Sequence, residues 1–381
     1  MLPSEKRIGI IGGGQLGKML AEAGSPWLVK YNFLDISGSP CALLGGNFIE
    51  GKITNADDIN KLALVSDVLT YEIEHINTDA ITKLEEEGKK IFPKPYVLKI
   101  INDKGSQNEY LEKHNIEIPK YYNLKEEKDW VEKLDLFEGE KIVVKARRGG
   151  YDGKGVSILT KNEIKSGIKP FQTDNTLYEQ FIDNVTEISV IVAIDQQGNA
   201  ETFPLVAMEF DPISNLVMFL HTEIDLPESV QNDCKEISIK AALSFNSPGL
   251  FAVELFVKGH EVLVNEIAPR PHNSGHHTIE ACYTSQFEQL NRILLGLPLG
   301  KTDLICSGAM INLVGADNFS GKYQLSNTEE VMKESGIYIH LYGKTESRPN
   351  RKLGHITVLA KDKKALFEKV SIAQKIKVVP K

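Results

Sequence analysis

KIVVKARRGGYDGKG, residues 141–155, decides how the rest of the chain is read. Its first six residues are apolar and β-branched between lysines, which predicts a strand. From Lys145 onward the stretch is dense in charge and glycine: Lys145, Arg147, Arg148 and Lys154 lie among Gly149, Gly150, Gly153 and Gly155. Glycine lets backbone approach a ligand closely. Cations next to free N–H groups suit a polyphosphate. The Walker pattern G-x-x-x-x-G-K-[ST] is absent, so this is a different kind of phosphate loop. A solvated basic hairpin is the plain alternative, but that density of glycine and charge after an apolar strand weighs against it.

Upstream, RIGIIGGGQLG runs from Arg7 to Gly17. A short strand ends in glycines, and a helix is expected over 15–23. Gly12, Gly14 and Gly17 fit G-x-G-x-x-G, and Asp35 falls where a dinucleotide site wants its acidic residue. A nicotinamide-dependent oxidoreductase is therefore one reading. A tight turn that needs glycine for close helix–strand packing explains the same residues nearly as well. Strand-like runs at 31–36 and 67–71 alternate with helical spacing at 55–64 and 78–87, which implies a parallel sheet. Pro93 and Pro95 close this unit, giving a first domain over 1–95.

Downstream, 96–114 and 229–245 have helical spacing, as does 278–295. The runs 176–182, 187–194 and 201–208 are expected as consecutive strands of one antiparallel sheet. Runs 249–257 and 261–267 form a hairpin across Lys258, Gly259 and His260. GLPLG at 296–300 marks a boundary, so the second domain spans 96–300. Short strands at 309–314, 337–341 and 355–360 give a small β-rich domain over 301–381.

The hairpin carries Glu254 and Glu266 twelve residues apart, among apolar neighbours that make both costly to bury without a cation. With the Asn265 amide oxygen and phosphate oxygens, they would make an oxygen-rich Mg²⁺ site. The hairpin leads straight into Arg270-Pro271-His272-Asn273-Ser274-Gly275-His276-His277. His276 and His277 lack partners at metal-ligand spacing, so packing or hydrogen bonding is the expected role. A second basic turn, RPNRKLGH, begins at Arg348 and reads on its own as a solvated charge run.

Bulk properties narrow the classes. The chain has 381 residues, 41% of them apolar and 25% charged, so a folded multidomain protein is expected. The net charge of −8 gives no general footprint for nucleic acid or an anionic membrane, and no such partner is expected. Cys41, Cys234, Cys282 and Cys306 form no C-x-x-C pair, which argues against a zinc site and a disulfide framework. No apolar run is long enough to span a bilayer, and strand pattern starts by Arg7, so the expected location is the cytoplasm.

Together, IGGGQLGKML, DVLTYEIEHI, VVKARRGGYDGKGV, VNEIAPRPHNSGH and YGKTESRPNRKLGHITV resemble the ATP-grasp superfamily, and within it the N5-carboxyaminoimidazole ribonucleotide synthetases. The resemblance covers nearly the whole chain; the oxidoreductase reading explains only the first segment. It implies a Rossmann-like N-terminal domain, a central ATP-grasp domain and a small C-terminal β-rich domain. The implied reaction carboxylates 5-aminoimidazole ribonucleotide with bicarbonate, using ATP and Mg²⁺, in purine biosynthesis. Another ATP-grasp ligase, such as a formate-activating phosphoribosylglycinamide formyltransferase, is the nearest alternative. A homodimer is implied because the family commonly forms one.

The resemblance also implies roles. Lys104 and Lys145 are the nucleotide and phosphate cations, and Gly150, Tyr151, Asp152, Gly153, Lys154, Gly155 and Val156 form the phosphate-covering loop. Glu179, Gln180, Phe181 and Ile182 are the adenine-binding linker, and Glu187 holds the ribose hydroxyls. Glu254 and Glu266, with Asn265, hold the metal, and Asn265 and Glu266 thereby also contact the nucleotide. Arg270, His272 and Lys352 serve bicarbonate or carboxyphosphate, and His272 or Asp152 takes the amine proton. Gln15, Leu16, Glu72, Tyr151, Asp152, Arg348, Arg351 and Lys352 face the aminoimidazole ribonucleotide. The chain departs from the pattern at Phe210, where histidine is usual, at Lys104, where arginine is common, and at Val156, where glutamine is common.

Overall fold

In the computed structural model, which describes residues 3–150, 155–210 and 217–381, five parallel strands form the N-terminal sheet. Their spatial order is Asn47–Glu50, Lys30–Asp35, Arg7–Ile11, Val68–Tyr71 and Lys90–Ile91. The first strand lies at the centre, so the crevice beyond Ile11 and Tyr71 is the switch point where ligands of such sheets bind. Asn55 and Asn77 start the helices Ala56–Leu64 and Thr78–Glu86 by accepting from Asp58 and Ala80 N–H groups. This is the Rossmann-like unit.

Two further sheets face each other across the middle of the chain. One has four antiparallel strands in the order Tyr121–Asn123, Thr176–Gln180, Lys141–Ala146 and Val156–Thr160. Trp130, Phe137, Ile142, Val144 and Tyr178 fill its core. The larger sheet has nine strands, with the Gly249–Lys258 and Glu261–Ala268 hairpin at one edge and Ile337–Leu341 at the other. It takes in Ser307–Val314 and Lys352–Ala360, so one hydrogen-bonded ladder runs from the central part of the chain into its C-terminal part. The helix Glu228–Ser244 covers one face through Val230, Cys234, Ala241 and Ala242.

Four local expectations need correction. Residues 176–182 and 187–194 do not share a sheet: Thr176–Gln180 pairs with Lys141–Ala146, and the chain crosses to the larger sheet through Asp183 and Asn184, the latter at φ 52°. The run 201–208 is split by Pro204, which has no N–H for a ladder, into Ala200–Thr202 and Val206–Phe210. The helix expected over 96–114 breaks at Asp103, which caps a second helix by accepting from Ser106 N–H. Likewise 278–295 breaks before Ser285, which caps Gln286–Leu295.

That last helix docks the N-terminal unit: Phe287, Leu290, Ile293 and Leu294 pack with Ile8, Ile10, Met19 and Leu20. At the seam the buried Tyr31 Oη donates to Asn291 Oδ1 at 2.8 Å, and Asn291 Nδ2 donates to the Leu20 carbonyl at 2.8 Å. Asn291→Ala removes both bonds and leaves Tyr31 Oη only its longer 3.3 Å bond to the Leu20 carbonyl, so it is expected to cost about 1 kcal/mol, read from the urea midpoint of unfolding. An unchanged midpoint would contradict the seam's role. No helix among the described residues is long and apolar enough to cross a membrane.

Candidate active site

The glycine loop sits at the switch point, but its N–H groups are already engaged. Gly13 N–H donates to Asp35 Oδ2 at 2.7 Å, Gly17 N–H to Glu72 Oε2 at 2.6 Å, and Gly14 N–H to Glu72 Oε1. A Cβ on Gly14 would lie 2.5 Å from Glu72 Oε1, and Gly12 holds φ +101° beside the same side chain. Glycine is needed here for close approach of Glu72. Burial pushes the Glu72 pKa up, against the pull of the two N–H bonds. A dinucleotide pyrophosphate would have to displace this carboxylate, which removes the physical basis of the nicotinamide reading. Leu16 points into the core, so only its backbone is available to a ligand.

Beside that loop, Gly14, Asp35, Ser37, Ser39, Lys344 and Arg351 line a cavity of about 210 Å³. Burial, with Arg351 and Arg348 alongside, pulls the Lys344 pKa down. Lys344 was not legible as a site residue; its only signal is the YGK preceding the basic turn.

The cleft between the two central sheets holds the other cluster. Glu254 and Glu266 are direct cross-strand partners, so their side chains leave the same face. Burial and the charges of Glu266 and Glu187 raise the Glu254 pKa. The Lys104 ammonium, ion-paired with Glu266, holds the Glu266 pKa low. Burial, with the Glu266 charge adding to it, lifts Glu187 to about 7. Acidic oxygens crowded this way fit a hard divalent cation such as Mg²⁺. Among the described residues no group of three or more His, Cys, Asp or Glu side chains is arranged to hold an ion alone, so other oxygens must complete the shell.

Lys145 links both sheets. Its Nζ lies 2.5 Å from Glu179 and donates to Asn265 Oδ1 at 2.9 Å. Asn108 steadies Glu179 from the other side at 3.1 Å. The Glu179 side chain therefore fixes a lysine, while strand pairing ends at Gln180, before Phe181 and Ile182. Gln180 spends its amide on the Glu138 backbone. Val156 pairs with Lys145, and Gly150 and Gly155 close the neck of the loop. Tyr151, Asp152, Gly153 and Lys154 lie outside the described residues. Phe210 packs with Val206, Met208, Leu220 and Met310 instead of offering a polar group.

The RPH turn lies against the carboxylates. Arg270 Nε and Nη2 reach Glu74 Oε1 at 2.7 and 2.6 Å, and Nη1 donates to the Pro271 carbonyl at 3.0 Å. His272 Nε2 is 3.7 Å from Glu254, and its Nδ1 shares a 2.9 Å hydrogen bond with Ser274 Oγ. Ser274 in turn shares a 2.7 Å bond with the buried Ser189 hydroxyl. Lys352 begins the strand Lys352–Ala360, which pairs with Ser307–Val314 and not with the hairpin, and its charge acts on Glu254. His276 and His277 are buried, with pKa values pushed down by burial, and both hydrogen-bond locally. Glu74, Ser189 and Ser274 were missed by sequence reasoning because they touch other side chains; Glu74 and Ser274 lie within segments that carried the resemblance. Ser274→Ala removes the hydrogen bond that orients His272, worth about 1 kcal/mol, together with the one to Ser189, so kcat is expected to fall about five- to tenfold with the KM for ATP unchanged. An unaltered kcat would deny Ser274 this positioning role.

Comparison with known proteins follows the same three parts. Residues 5–102 match the ribonucleotide synthetase preATP-grasp domain, 109–287 the ATP-grasp domain, and 308–369 the phosphoribosylaminoimidazole carboxylase C-terminal domain. The N5-carboxyaminoimidazole ribonucleotide synthase of Bacillus subtilis is 35% identical over 92% of this chain and 91% of its own. The chain belongs to the N5-carboxyaminoimidazole ribonucleotide synthase family. Among solved structures of that family, the Thermotoga maritima synthetase has a TM-score of 0.89 at 38% identity, covering 99% of this chain and 100% of its own. The Aspergillus clavatus synthase, solved with ADP and 5-aminoimidazole ribonucleotide, has a TM-score of 0.85 at 26% identity, covering 98% and 99%. The Schizosaccharomyces pombe phosphoribosylaminoimidazole carboxylase is 36% identical over 94% of this chain; this chain spans about two thirds (66%) of that longer relative.

Proposed function

We propose that the protein carboxylates 5-aminoimidazole ribonucleotide with bicarbonate at the expense of ATP, giving N5-carboxyaminoimidazole ribonucleotide, ADP and phosphate. It would act as a homodimer in the cytoplasm, within purine biosynthesis. The observation that carries the reading is the facing pair Glu254 and Glu266, set between two lysines and the Arg270–His272 turn.

Bicarbonate is a poor electrophile, and phosphorylation turns one of its oxygens into a leaving group. That step is mostly alignment and charge stabilisation. Mg²⁺, held by Glu254, Glu266 and Asn265, would neutralise phosphate oxygens. Lys145 and Lys104 supply fixed positive charge to the phosphates, and Gly150–Val156 would cover them. The linker from Glu179 to Ile182 offers backbone to the adenine, and Glu187 accepts from the ribose hydroxyls. Arg270, its plane fixed by Glu74, grips bicarbonate at two points. Lys352 adds positive charge on the same side. Carboxyphosphate hydrolyses readily, so the covering loop must also exclude water. The exocyclic amine then attacks the carboxyl carbon, and His272 or Asp152 receives its proton. Arg348 and Arg351, with Gln15, Leu16, Glu72 and Tyr151, would hold the ribonucleotide; the Lys344–Arg351 cavity gives its phosphate a cationic seat.

Formate in place of bicarbonate tests the reading against formate activation. ADP release with formate is expected to stay at background; formate-driven release that equals or exceeds the bicarbonate rate would transfer the chain to the other reaction.

A further inference from the structure

The oxygen atoms suited to a metal are held by lysines in the protein alone. Lys104 Nζ is ion-paired with Glu266, and Lys145 Nζ donates to Asn265 Oδ1 at 2.9 Å. The backbone beneath Lys104 is anchored: its N–H donates to the Arg147 carbonyl at 2.9 Å, and Asp103 next to it is clamped by Arg147 at 2.9 and 3.0 Å. Only the side chain is placed to change partners. The Glu254 carboxylate opposite adds to the field that holds the Lys104 ammonium in place.

We propose that Lys104 is an internal counter-ion that occupies the Glu266 carboxylate until a nucleotide arrives, so that a divalent cation binds with the nucleotide and hardly at all without it. This rests on the nucleotide and metal reading given above. A divalent cation approaching alone meets two ammonium groups already seated on its oxygen ligands, and displacing them takes Lys104 off its carboxylate and leaves Lys145 only Glu179, in a recessed cleft. A triphosphate changes the balance. It offers Lys104 and Lys145 new anionic partners, releases Glu266 and Asn265, and brings the oxygens that two carboxylates and an amide lack for a Mg²⁺ shell. The lysine and the metal thus exchange places on one carboxylate, and the order of addition is built into the cleft.

The test titrates Mn²⁺ into the full chain and follows free ion by electron paramagnetic resonance, with and without β,γ-imido-ATP, in wild type, Lys104→Gln and Lys104→Arg. Wild type is expected to bind Mn²⁺ tightly only with the analogue. Lys104→Gln removes the plug without adding charge, so its affinity without nucleotide should rise at least about tenfold, while Lys104→Arg should keep the block. Circular dichroism and the melting midpoint show that each variant is folded. Equal Mn²⁺ affinity in wild type with and without analogue would overturn the inference, as would nucleotide-dependent binding in wild type with no gain in Lys104→Gln; both results leave the nucleotide site itself standing. Absence of Mn²⁺ binding in every mixture would overturn the metal site along with the plug.

Discussion

Glu266→Gln is expected to abolish ATP-dependent turnover while the protein stays folded. Glu266 faces Glu254 across the hairpin and is ion-paired with Lys104. Replacing it by an isosteric amide removes the charge that a divalent cation needs and leaves the strand pairing intact. Losing one charge-stabilising group in such a site costs roughly 10²–10³ in rate. Losing the metal's contribution adds several kcal/mol, so turnover should fall below detection. The fold should survive, because the strand pairing is untouched and Glu254 opposite remains as a counter-charge to the Lys104 ammonium. ADP release measured across a Mg²⁺ series, alongside a melting curve, checks both halves. Retained turnover with an ordinary Mg²⁺ requirement would remove Glu266 from the metal site.

Arg270→Lys is the second large effect. Two nitrogens of this guanidinium are spent on Glu74 and a third on the Pro271 carbonyl, which fixes the plane of the group. A lysine ammonium keeps the charge but can neither hold that plane nor grip an anion at two points. The expected loss in kcat/KM for bicarbonate is roughly 10²–10³. Glu74→Gln, which loosens the same plane without removing the cation, should lose less. An Arg270→Lys variant near wild type would exclude Arg270 from the chemistry.

The features of the fold that are legible in the sequence share a cause. The parallel unit announced itself through alternating short strands and helices, and the Glu254–Glu266 hairpin through its short turn and two carboxylates stranded among apolar residues. In both cases local pattern and observed strand pairing agree. Sheet membership was harder to read: nothing in Thr176–Gln180 distinguishes a partner at Lys141–Ala146 from one at Thr186–Ile194, because pairing is settled by long-range packing. Glu74, Ser189 and Ser274 act through other side chains, and such contacts leave no spacing signature. The glycine loop misleads for a different reason. Its pattern is that of an anion site, and the anion it holds is the chain's own Glu72.

The most direct measurement of the central claim is ADP release from purified protein supplied with MgATP and 5-aminoimidazole ribonucleotide, in degassed buffer with and without added bicarbonate. Release is expected to depend on both the ribonucleotide and bicarbonate, and to end when either is withheld. Release at the same rate without either one would describe an ATPase and contradict the assignment.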